Sequence, residues 1–274
     1  MSNLRIGDLT VKSLTDGPLA TSVEQVIGME RAQAEQLLGG TQAGSLFIPV
    51  NVFLIERADK TILIDAGAGT TMQPTLGKLP ENLRAAGIDP SSITHVVVTH
   101  IHRDHTNGLI DPEGRPQYPN AEIVVHEKEL DFWLGPATGP QSEKVERNRV
   151  QARINLTPYL DRVRTVRDGE DILGMTPILA PGHTPGHTCW RIGSGREAAL
   201  AWGDLVHFSA IQISHPDVAV AYDLDKDVAR ASRLRILDMA ATEHWGIAGA
   251  HVGAPGLGYV VRRGGRYAFE PAGA

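Results

Sequence analysis

Short apolar runs, each closed by glycine, proline or a charged cluster, recur along most of the chain. Residues 9–14, 47–55, 61–65, 95–99, 122–126, 177–180, 198–202, 247–251 and 259–262 have the length and β-branched content of strands, and residues 267–270 add a short one near the end. Stretches with helical periodicity lie between them. Residues 79–86 stop at Gly87, and 127–134 stop at Gly135-Pro136. Residues 225–244 place Val228, Ala231, Leu234, Leu237 and Ala241 on one apolar stripe behind Asp225 as N-cap. Residues 141–160 are more polar and read as a surface helix or a cap over a site. Residues 16–44 read as an N-terminal arm, with a helix at 23–38, reaching over a site or toward a partner subunit. Strands dominate both halves and each half ends in helical sequence. The pattern predicts an α+β fold over residues 1–274 as a single domain: two mixed sheets face to face with helices on the outer faces, an αββα sandwich.

Composition narrows the function classes. The chain is 42% hydrophobic and 21% charged, with 29 Gly and 17 Pro, which is the profile of a globular protein rich in turns. Its net charge of −6, with no Lys/Arg stripe, argues against a nucleic-acid partner. No apolar run approaches the ~18 residues that would span a bilayer. The start, MSNLRIGDLTVKSL, lacks the charged and apolar regions of a secretion signal, so a cytoplasmic location is expected. Cys189 is the single cysteine, which excludes an internal disulfide and a cysteine-rich zinc knot; it reads as a small buried residue.

The chemistry is concentrated in His100-Ile101-His102-Arg103-Asp104-His105, directly after a predicted strand. Residues i and i+2 of an extended chain project to one side, so His100 and His102 can grip one ion. Asp104 and His105 lie past the bend, at the start of a helix, and can face a second ion. Ligands for two neighbouring metals, without sulfur, point to a catalyst, because structural zinc sites are closed and sulfur-rich. Further ligand types stand at other strand ends: Pro181-Gly182-His183-Thr184-Pro185-Gly186-His187-Thr188, Trp202-Gly203-Asp204, Gly249-Ala250-His251, and the lone carboxylate of Leu63-Ile64-Asp65-Ala66-Gly67. Isolated histidines such as His95, His126, His215 and His244 read as structural.

These segments, in this order, resemble the metallo-β-lactamase-fold hydrolases. The stretches 74–78, 131–134, 182–188, 203–205 and 255–258 are similar to the methyl parathion hydrolase-like and lactonase branch. The resemblance implies a dinuclear centre between the sheets. His100, His102 and His183 would hold one metal, Asp104, His105 and His251 the other, and Asp204 would bridge both. It implies hydrolysis by a hydroxide held between two divalent ions, whose excess positive charge suits a transition state gaining negative charge. Zinc is the first metal expected of such nitrogen and oxygen ligands; manganese, cobalt and iron(II) also suit them. Asp65 and His187 would orient the ligands or their loops. Trp133, His207 and Phe208 are candidates to line the substrate pocket, against the plainer reading of core packing. The resemblance also implies a homodimer.

The fold hosts many reactions, so the substrate must be read from the site. Asp204 at the bridging position argues against true β-lactamases, and the absence of an inserted domain and basic surface argues against nucleases. The expected substrate is a neutral small-molecule ester or lactone, acyl-homoserine lactones included, with organophosphate triesters as the alternative and a catalytically idle metal-binding protein as the third reading. Some lactonases of this fold carry a tyrosine after the bridging aspartate; here the neighbourhood reads Leu205-Val206-His207-Phe208.

Overall fold

The computed structural model describes residues 2–40, 46–137 and 139–273. Among them, one large sheet has seven strands whose order in space is their order in the chain: Ser2–Ile6, Leu9–Thr21, Leu46–Arg57, Lys60–Ile64, His95–Val97, Glu122–His126 and Val163–Val166. A second has six, again in chain order: Met175–Leu179, Thr188–Ser194, Glu197–Ala201, Gly246–Ala248, Leu257–Arg263 and Arg266–Pro271. Both are mixed. The last four strands of the first sheet run parallel, as do Glu197–Ala201 and Gly246–Ala248 in the second. Parallel neighbours need crossovers, and helices supply them: Leu79–Ala85, Glu127–Leu134 with Glu143–Leu156, and Lys226–Glu243.

The two-residue period of a strand sorts the core into layers. Ile62, Ile64, Val97 and Val124 face between the sheets and meet Trp190, Ile192, Ala199 and Ala201. Their neighbours Leu63, Val96, Ile123 and Val125 point the other way, beneath Leu79, Leu83, Trp133 and Leu156. On the far side Ala198, Leu200 and Ile247 lie beneath Ile236, Leu237 and Ala240. The result is the expected αββα sandwich. Each fully buried aliphatic side chain in it contributes about 1.5–3 kcal/mol.

Three expectations need correction. The arm at residues 16–44 begins as sheet: the second strand runs to Thr21 through a register shift between Thr15 and Gly17. That bulge, with buried Asp16 accepting from the amides of Ala68, Gly77 and Leu79, breaks the alternation that would have revealed it. A 3-10 turn at Val23–Gln25 and a helix of only Arg31–Leu37 replace the expected long helix, and residues 41–44 lie outside the described residues. The apolar stripe of the long helix is also displaced. Ala229, Arg233, Ile236, Leu237, Ala240 and Ala241 are buried, whereas Val228 and Leu234 are exposed. Arg233 explains the shift, because its guanidinium is buried and donates to the carbonyls of Leu205, Pro216 and Val218. Finally, Ser2–Ile6, Val163–Val166 and Thr188–Ser194 are strands that the sequence pattern does not predict. Among the described residues no helix is long and apolar enough to cross a membrane.

Candidate metal centre

The site lies where the chain leaves the sheets. After His95–Val97 the backbone continues to Thr99, whose amide and hydroxyl both donate to buried Asp65, at 2.8 and 2.9 Å. Asp65 follows its own strand with φ +64°, a left-handed conformation that aspartate tolerates better than most residues. The same carboxylate accepts from His105 Nδ1 at 2.7 Å, and the Thr99 hydroxyl accepts from His100 Nδ1 at 3.1 Å. Both imidazoles are thereby fixed with their Nε2 lone pairs toward the cleft. The carbonyl of His102 receives the amides of His105 and Thr106, starting the short helix that turns Asp104 and His105 inward.

The opposite wall comes from the second sheet. A Cβ on Gly182 would lie 2.0 Å from the Ala229 amide nitrogen, and one on Gly186 would lie 2.1 Å from that of Glu129. Only glycine permits such approach, which accounts for both glycines flanking His183. His183 Nδ1 donates to Asp223 at 3.1 Å, and burial, opposed and outweighed by Asp204 and Asp223, leaves its pKa raised to about 9. His187 donates through Nδ1 to the carbonyl of Ala180 and accepts the Asp204 amide at Nε2, 3.0 Å away. Burial, reinforced by neighbouring His183, lowers its pKa to about 3, as its acceptor role requires. His251 Nδ1 donates to the carbonyl of Pro49, and Asn51 holds the loop through the carbonyls of Gly249 and Val252.

All seven ligands expected from the sequence converge. His100, His102, His183 and Asp204 each offer one donor atom within 4.8 Å of the others, and Asp104, His105, Asp204 and His251 do the same. Asp204 belongs to both groups. Its Oδ2 lies 3.5 Å from His100 Nε2 and 3.1 Å from His183 Nε2, while Oδ1 lies 2.8 Å from His105 Nε2 and 3.0 Å from His251 Nε2. Burial opposes its charge, but the surrounding imidazoles hold it well below the usual carboxylate range.

The donor set fits a pair of cations. Among the described residues His105 Nε2, Asp204 Oδ1 and His251 Nε2 are buried without a hydrogen bond, although the first two are only 2.8 Å apart. They converge on a common point rather than on one another. His102 Nδ1 sits 2.8 Å from His183 Nε2 and 3.1 Å from His100 Nε2, so lone pairs crowd together where a cation would relieve them. The two clusters fit a dinuclear site of hard-to-borderline ligands.

Other expectations divide. His207 lines a cavity of ≈ 360 Å³ over the clusters, with Nε2 3.0 Å from Asp204 Oδ2. Trp133 does not reach that cavity. It is fully buried against the ring of His102, and its indole N–H donates to Glu129 at 2.7 Å. Phe208 packs with Leu19, Val50, Ile211 and Val220 instead of lining the pocket, because Gln212 accepts the amides of both His207 and Phe208 and turns the ring away. His126 caps the Glu127–Leu134 helix, and His215 pairs with Arg266.

Several contributors were not anticipated. Buried Glu129 accepts from the Ile101 amide, Trp133 Nε1, the Thr184 hydroxyl and the Gly186 amide, tying the loop of His100 and His102 to that of His183. Burial pushes its pKa up while these four donors pull it back. Its position four residues before Trp133, on the buried side of its helix, is the one signal that could have found it. Asp223 had none. Tyr222 supplies an aromatic ring at the cavity, 5.3 Å from His207, although its hydroxyl is bound to Thr21.

The family profile of the metallo-beta-lactamase superfamily matches residues 46–251, and the chain belongs to that superfamily. It is similar to the N-acyl homoserine lactonase AttM of Azorhizobium caulinodans, 31% identical over 113 residues; the match spans 40% of this chain and 40% of that relative's length. Among solved structures, the hydrolase AbOPH of the beta lactamase superfamily superposes with a TM-score of 0.92 at 29% identity, over 98% of this chain and 96% of the other. AidC, a dizinc quorum-quenching lactonase in complex with a product N-acyl homoserine, superposes with a TM-score of 0.88 at 26% identity over the same shares.

Proposed function

We propose that the protein is a dinuclear metal-dependent hydrolase of carboxylic esters or lactones, with acyl-homoserine lactones as the leading substrate class. The observation that carries this reading is the Asp204 carboxylate, whose two oxygens face two separate ligand groups beneath one cavity. The likeness to lactonases supports the choice of substrate.

His100, His102 and His183 would hold one ion and Asp104, His105 and His251 the other, with Asp204 shared and zinc the first candidate. When bound, two such ions supply a water of lowered pKa and polarise the substrate's oxygen. The protein's own groups do the rest. Asp65, Asp223 and the Pro49 carbonyl engage Nδ1–H of His105, His183 and His251, so that Nε2 is the nitrogen turned toward the ion. Hydrolysis breaks the bond between acyl carbon and leaving oxygen; the carbon takes hydroxyl and the leaving oxygen takes a proton. His207, with Nε2 beside Asp204 and Nδ1 without a partner among the described residues, is placed to handle that proton.

The test is a panel of lactones, nitrophenyl esters and phosphotriesters, assayed with and without chelator beside metal analysis. The reading expects close to two ions per chain and chelator-sensitive turnover of lactones or esters. Turnover that survives complete metal removal, or phosphotriesters hydrolysed in preference to every lactone and ester, would overturn it.

A further inference from the structure

The charged side chains lining the cavity fall into two sets. Asp104 and Asp204 belong to the ligand groups. The others, Arg103, Lys144 and Arg147, are all cationic, in a chain whose net charge is −6. Lys144 and Arg147 stand three residues apart on the Glu143–Leu156 helix, so they share the face that overlooks the site. Asn148 completes that face. Lys144 makes no hydrogen bond or ion pair among the described residues; its Nζ lies 5.5 Å from the centre of the Tyr222 ring, bent over the cavity. Arg103 Nε is buried without a partner among the described residues. Arg147 has only a loose pair with Glu143 at 3.5 Å, between two largely exposed side chains.

Cations this weakly engaged at a cavity leave hydrogen-bonding capacity for an anion, and two divalent ions below would add to the same field. A neutral substrate with a long apolar tail uses none of it. Among the described residues the apolar lining beside the clusters comes from Leu19, Ala20, Met72 and the ring of Tyr222. We propose that the substrate is an ester or lactone whose acyl portion carries a carboxylate, received by Lys144 and Arg147 with Arg103 below them. The inference rests on the ester and lactone reading above and narrows it. Hydrolysis of such an ester releases a dicarboxylic acid and an alcohol, and such a lactone opens to a single hydroxy dicarboxylic acid.

Two measurements on the metal-loaded protein separate the inference from the reading beneath it. In the first, nitrophenyl monoesters of dicarboxylic acids from succinate to suberate are compared with the matching monocarboxylic esters. The inference expects at least one anionic ester to lead its neutral counterpart by about tenfold in kcat/KM, the size of one charge-assisted hydrogen bond. The lead should shrink as salt rises, and should collapse toward unity in the Lys144→Met, Arg147→Met double variant. In the second, calorimetry compares the free dicarboxylates with the corresponding monocarboxylates, which needs no turnover. The same preference and the same loss in the double variant are expected. If no ester or lactone is hydrolysed but the dicarboxylates still bind more tightly, the hydrolase reading falls and the anion site stands. If monocarboxylates match dicarboxylates at every length, or the preference ignores both salt and the double variant, the anion site is refuted.

Discussion

The two halves of the metal centre offer similar ligands but are built differently. The half formed by His100, His102 and His183 offers imidazoles alone besides the shared Asp204, and its geometry depends on a carboxylate on a third element. Glu129 binds the amide between His100 and His102 with one oxygen and the loop after His183 with the other. The half formed by Asp104, His105 and His251 contains a carboxylate of its own. Its supports are the Asp65 side chain and the Pro49 carbonyl, both in or beside strands of the first sheet. Each half takes two ligands from the end of the first sheet and one from the second, so the difference lies in the supports: a helix carboxylate for one half, groups of the first sheet for the other. The first should therefore be the more easily loosened, and the second, with an added negative charge, the more retentive of a cation.

The shared residue sets the largest effect. Asp204→Ala removes the group facing both halves and leaves five buried imidazoles without their common counter-charge. Metal content should fall from about two ions to one or fewer, and turnover by about a thousandfold or more, given several kcal/mol of transition-state stabilisation and tenfold per 1.36 kcal/mol. Metal analysis and kcat/KM on the same preparation check it. Retained activity with two ions would mean that the halves are joined by something other than Asp204.

Variants of the supporting carboxylates should separate the halves. Glu129→Gln keeps the volume but turns an amide NH2 toward donors, stranding a buried group at about 1–3 kcal/mol. Affinity for the ion at His100, His102 and His183 should weaken by about 10–100-fold while the second ion is held. Asp65→Asn should do the reverse. The new amide would face His105 Nδ1–H and favour the tautomer with a proton on Nε2, weakening the second half by a similar factor. Its link through Thr99 to His100 should make the loss at the first half smaller but not zero. Competition against a chromophoric chelator, with cobalt spectra of each half-loaded form, distinguishes these outcomes. Equal losses at both ions in both variants would erase the proposed asymmetry.

This asymmetry also explains what the sequence could reveal. The ligands of both halves were legible because each lies just past an apolar run, four of them clustered at 100–105 and the others, His183, Asp204 and His251, beside or next but one to a glycine. The layers were legible for the same reason, since Ile62-Leu63-Ile64 and Ala198-Ala199-Leu200 alternate within a few residues. Supports that act across the fold were not. Glu129 looks like a solvated charge in Glu127–Leu134, and apart from Trp133 its partners lie 28 and more residues away. Arg233 resembles a surface residue of its helix and so misplaced the apolar stripe, although its guanidinium is buried among backbone carbonyls and beside Asp223. Trp133 and Phe208 were candidates for the pocket as well as for the core because aromatic residues near ligands suit either role. Their positions follow from single acceptors, Glu129 and Gln212, that no local pattern announces.

The smallest predicted effect tests whether the first half's support responds to pH. His126 begins the Glu127–Leu134 helix that carries Glu129, and its Nδ1 accepts the Lys128 amide as an N-cap. Burial lowers its pKa below 6.5. The folded protein therefore binds fewer protons here than the unfolded chain, and stability from this residue is full above about pH 6.5 and declines as the pH falls through that range. His126→Asn retains an effective cap acceptor without a titrating ring. Stability at neutral pH should change by no more than about 1 kcal/mol, while the acid limb of the stability curve becomes shallower. Urea melts across the interval below pH 6.5 measure the slope, and cobalt occupancy of the half containing His100 follows whether the helix carries that slope into the site. An unchanged acid limb in His126→Asn would show that the helix bearing Glu129 is anchored independently of its cap, and the first half would then be as well secured as the second.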